Sequence, residues 1–94
     1  MFYDCRSFTT LELSGFDTAN VQYMNSMFFG CESLTSLDLS SFDTANVQDM
    51  DNMFYNCMSL SDLTLGDRFV TTNATTDSMF GFCPGGKDYQ HLLN

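Results

Sequence analysis

Residues 14–39, SGFDTANVQYMNSMFFGCESLTSLDL, are followed at once by residues 40–65, SSFDTANVQDMDNMFYNCMSLSDLTL, and 16 of the 26 aligned positions are identical. Met1, Met27, Met53 and Met79 fall in one phase, as do Cys5, Cys31, Cys57 and Cys83, so the period is 26 residues along most of the chain. Self-similarity at a fixed spacing of this size predicts one supersecondary unit that recurs and buries its apolar face against its neighbours. The repeat therefore restricts the fold before any local reading begins.

Within one unit two periodicities are present. Leu37-x-Leu39 alternates at period two, which predicts a very short strand with its leucines inward and Ser36, Asp38 and Ser40 outward. Val47, Met50, Met53, Phe54 and Cys57 lie three or four apart, which predicts one face of a helix of about three turns. Asp43-Thr44-Ala45-Asn46 precedes that run, with Asn46 as the expected N-cap and Asn20 as its counterpart one unit earlier. Stacking such units at about 4.8 Å makes the strands a parallel sheet and the apolar residues continuous ladders. The expected fold class is α/β: a solenoid with one short parallel strand and one short helix per 26-residue repeat.

The combination of L-x-x-L-x-L with MF-x-x-C and F-D-T-x-N-V-x-x-M resembles the 26-residue repeat of bacterial surface proteins, grouped with the BspA-like leucine-rich repeats. The resemblance covers residues 1 to about 83. It implies a leucine-rich-repeat solenoid on a secreted or surface-anchored bacterial protein, extracellular in location and associated with adhesion. Two departures stand out. The third unit reads Phe69-Val70-Thr71-Thr72-Asn73-Ala74, one residue out of phase, and Pro84-Gly85-Gly86-Lys87 replaces the pattern after Cys83. Residues 1–94 are read as a single domain within a longer array, because the chain opens in mid-repeat, and residues 84–94 as a C-terminal cap or degenerate rung.

Composition narrows the function. Twelve Asp and Glu against three Lys and Arg give a net charge of -9, which leaves no basic surface for a nucleic acid. No apolar run approaches the length of a membrane span, so membrane insertion is not expected. Four cysteines, each 26 residues from the next, lie in a line rather than in close pairs, which disfavours zinc and favours buried free thiols over bridges between units. Asp17 and Asp43 are expected to stack, each held by its own turn, with a bridging calcium ion as the alternative. Gly81 to Asp88 matches G-x-x-x-x-G-K but ends in Asp where a phosphate loop needs Ser or Thr. His91, the one histidine, has no nucleophile or carboxylate partner that sequence can assign. An enzyme is not expected, and neither is a cofactor or a metal.

What is left is the outer face of the sheet, where Thr10, Glu12 and Ser14, then Ser36, Asp38 and Ser40, then Asp62 and Thr64 flank the strand leucines. These eight residues are the candidate ligand-binding face. The expected function is a non-catalytic binding or adhesion module whose partner is a host or neighbouring-cell protein or glycan; the alternative is a structural spacer.

Overall fold

The computed structural model describes residues 9–11 and 13–93. Three short strands, β1 (Thr10–Leu11), β2 (Ser36–Leu39) and β3 (Asp62–Leu65), form one parallel sheet in the order β1-β2-β3. Thr10 pairs with Ser36 and Ser36 with Asp62, and Leu37 pairs with Leu63, so the register equals the sequence period. Leu37, Leu39 and Leu63 point inward and are buried, while Asp38, Asp62 and Thr64 are exposed.

The segments between strands are not helices. Residues 51–56 are a run of turns, and the equivalent residues 25–30 and 77–82 behave alike. Two sets of hydrogen bonds alternate along the run. Met53, Tyr55 and Cys57 donate their N–H groups to carbonyls three residues back, at Met50, Asn52 and Phe54, over 3.2 Å each. Asn52, Phe54 and Asn56 donate instead to Asp77, Met79 and Gly81 of the next segment, at 2.7 to 2.9 Å. An α-helix would have used those donors internally. Left-handed residues make the alternation possible: Ser26, Gly30, Asn52, Asn56, Ser78 and Phe82 all have φ between 54° and 72°. A right-handed helix cannot run through such positions.

This difference overturns the expected fold class. An α-helix is about 10 Å across whereas paired strands lie about 4.8 Å apart, so a helix in every unit would splay one side and curl the sheet. Turns that hydrogen-bond from level to level keep the same spacing on both sides. Phe28, Phe54 and Phe80 stack with centroids 5.5 and 5.4 Å apart and rings within 7° of parallel. The product is a flat parallel sheet and one helix in a globule with extents of 30 × 27 × 20 Å. It is not an α/β leucine-rich-repeat solenoid with a strand and a helix in each repeat. Asn46 is no N-cap either, for its Nδ2 donates to the Ala19 carbonyl one level away at 2.8 Å.

The helix among the described residues is a 3-10 segment, Pro84–Leu92, kinked at Tyr89, that closes the end of the sheet. Tyr89 Oη accepts from Leu65 N–H at 3.2 Å and donates to the Leu63 carbonyl at 3.1 Å, so one phenol satisfies the open edge of β3. Gly85 N–H donates to the Leu60 carbonyl at 2.6 Å, and Gly86 packs against the Phe80 ring so closely that a Cβ would sit 2.5 Å from it. Side chains larger than hydrogen would lift the helix off the core. The core beneath is Leu34, Phe42, Val47, Met50, Met53 and Phe54, joined by Met24, Phe28, Leu60, Met79 and Phe80, all buried, whereas Val21 is half-buried and Phe16 exposed.

Candidate binding face

The alternation of β2 and β3 places Ser36, Asp38, Asp62 and Thr64 side by side on the outer face. Ser36 stands opposite Asp62 and Asp38 opposite Thr64. Together with Leu37 they line a shallow hollow of about 170 Å³. Thr10 extends the row across β1, in register with Ser36, and is exposed. Glu12 lies outside the described residues. Ser14 and Ser40 are exposed but lie in the turns beyond the strand ends, not in the hollow.

Asp38 is held rather than free. The Ser40 hydroxyl and the Ser40 N–H, the latter at 2.9 Å from Oδ1, hold its carboxyl below the usual carboxylate range. Hydrogen bonds to the charged form favour ionisation, so Asp38 keeps its negative charge on this face. Ser40 thus acts as a brace for the acid more than as a contact surface.

Other sequence candidates resolve into structure. Asp17 and Asp43 each accept the N–H two residues on, from Ala19 at 3.1 Å and Ala45 at 3.2 Å, the Asx-turn use of a carboxylate. Gly85 and Gly86 have their N–H groups paired with Leu60 and Cys83 carbonyls, so residues 81–88 make no phosphate cradle. Cys31, Cys57 and Cys83 are buried, while Cys5 lies outside the described residues. Burial, with Cys83 and Cys31 adding to it, pushes the Cys57 thiol up from 9.0 to about 12. Among the described residues no group of three or more His, Cys, Asp or Glu side chains could hold a metal ion. His91 is exposed, with Tyr89 as its ring neighbour at 6.4 Å.

Two features were missed from sequence. A second parallel pairing joins Tyr23, Asp49 and Thr75, and along it Asp49 accepts from Asp51 N–H and Thr75 Oγ1 while Asp51 accepts from Asp77 N–H. Phe29, Tyr55 and Phe82 form an outer aromatic column, stacked at 5.4 Å and then edge-on at 5.7 Å. The signal for the column is the aromatic that follows Met-Phe in the first two units and stands two residues after Phe80 in the third.

Fold and face together define a small parallel-sheet domain whose units are joined by hydrogen-bonded turns. A family model described as "Mycoplasma protein of unknown function, DUF285" matches residues 1–89, and the chain belongs to that family. The BspA-like leucine-rich-repeat assignment that the motifs suggested is corrected with the fold, because one helix and an uncurled three-stranded sheet are not that architecture. No curated protein and no solved structure matches the chain.

Proposed function

We propose that this domain is a non-catalytic binding module that engages a cationic protein partner, on a host or neighbouring cell, through its outer sheet face. The observation that carries the reading is the hollow between β2 and β3, where Asp38 and Asp62 sit with Ser36 and Thr64 on a surface of fixed backbone. Three cationic residues in the whole chain cannot neutralise such a face. Closely spaced acids on a shallow surface attract Lys and Arg and lose that attraction as salt rises. Thr10, Glu12, Ser14 and Ser40 border the same face and would extend the contact. A cell-surface setting is part of the same proposal.

Immobilised Lys- and Arg-rich peptides are the probe, read by biolayer interferometry at low and high salt. Saturable binding that weakens with salt, and that drops at least tenfold when Glu12, Asp38 and Asp62 are changed to Gln or Asn in a folded variant, is the expected result. Absence of saturable binding would favour a spacer role, and binding indifferent to salt would favour a neutral glycan.

A further inference from the structure

We propose that the hollow between β2 and β3 is an arginine slot, in which a single guanidinium of the partner lies across the sheet and bridges Asp38 to Asp62. The slot rests on the cationic-partner reading of the outer face and narrows it to one residue type. Four polar side chains mark its corners. Ser36 stands opposite Asp62 on one row and Asp38 opposite Thr64 on the next, so the two acids occupy a diagonal. Neighbouring parallel strands lie about 4.8 Å apart and two residues of strand span about 6.6 Å, which separates Asp38 and Asp62 by about 8 Å. Asp38, Asp62 and Thr64 are exposed, Ser36 is half-buried, and all four leave the same face.

The diagonal is held open. Asp38 Oδ1 accepts the Ser40 N–H at 2.9 Å, and the Ser40 hydroxyl holds the same carboxyl. Ser40 lies on the side of Asp38 remote from the row of Ser36 and Asp62. This brace turns the carboxylate along its own strand, so the two acids do not lean together onto one small ion.

Cation shape then decides. An ammonium donates from a single nitrogen and joins oxygens no more than about 5 Å apart, whereas the outer nitrogens of a guanidinium donate in divergent directions and join oxygens about 7 to 8 Å apart. Lysine therefore reaches one acid at a time. The planar fork of arginine also leaves N–H groups for the Ser36 and Thr64 hydroxyls on the other diagonal. Its weaker hydration lowers the cost of settling into a shallow hollow of about 170 Å³.

Amide chemical shifts of the full chain, followed by NMR while an end-capped Gly-Ser peptide carrying one Arg is titrated in, are the test. The same peptide with Lys or with citrulline in that place supplies the comparison. The Arg peptide is expected to saturate shifts at residues 36–38 and 62–64 with a Kd at least fivefold below that of the Lys peptide, and the citrulline peptide to produce none. Asp62→Asn, at an exposed position, removes one end of the span and should erase the preference for Arg. Equal affinities for Arg and Lys in the parent, or a preference for Arg that survives Asp62→Asn, would overturn the slot while leaving a cationic partner for the face. Shifts that saturate with neither peptide would overturn both.

Discussion

Thr44 is 1% exposed, and its hydroxyl does work that an apolar side chain of the same shape could not. Thr44 Oγ1 accepts from Val70 N–H at 2.7 Å and donates to the Val70 carbonyl at 2.7 Å, clasping the next segment in the sheet direction. Thr18 makes the same clasp on Asp43, at 2.8 Å from its N–H and 3.1 Å from its carbonyl. Thr44→Val keeps the volume but strands the part-buried N–H and carbonyl of Val70, at a cost of about 1 to 3 kcal/mol, while Thr44→Ser keeps the clasp; urea midpoints separate the two. Equal midpoints would remove the clasp from the account. Cys57 makes a second test. Its Sγ donates to the Phe28 carbonyl at 3.0 Å, and burial holds the thiol protonated to about 12. The folded thiol keeps its proton where the unfolded one has lost it, so its contribution is whole below about pH 9 and falls between pH 9 and 12. Each pH unit in that window costs up to about 1.4 kcal/mol, and Cys57→Ala should flatten the alkaline arm of a stability-versus-pH curve.

Strands and turns differ in how legible they are. Leu37-x-Leu39 alternates because β2 has one buried and one exposed face, so the strand can be read from its residues. The spacing of Val47, Met50, Met53, Phe54 and Cys57 suggests a helix for a different reason. Successive turns, each closed by a bond over three residues, return side chains inward every three or four positions and so imitate helical period. What separates the two is at Ser26, Asn52 and Ser78, and at Gly30 and Asn56, where left-handed backbone needs small or short polar residues. That clue is local and weak beside a strong apolar period, and the competing acceptors lie 25 residues away in sequence, as for Asn52 and Asp77. Asn52 offers a clean discrimination. At φ 59° Asn52→Gly should be neutral or better and Asn52→Ala worse by about 1 kcal/mol, whereas in a helix Ala would exceed Gly by about that amount. Thermal melts of the two variants decide it.

For the molecule as a whole, the outer acids were legible because alternation alone assigns a face, and Asp38 and Asp62 meet in one hollow. The helix closing the end was not, since it depends on which backbone groups are left over after the levels pair. Levels are joined on two sides, by the sheet through Leu37 and Leu63 and by the turns through Phe54 and Met79. Equal spacing on both sides is what keeps the sheet flat and the phenylalanine rings parallel. Scalar couplings transmitted across hydrogen bonds, measured by NMR from amide nitrogen to carbonyl carbon, read those pairings atom by atom. Couplings from Asn52 to Asp77, from Phe54 to Met79 and from Phe28 to Met53 are the predicted result. A coupling from Phe54 to Met50 in place of Met79, the bond of an α-helix, would contradict it.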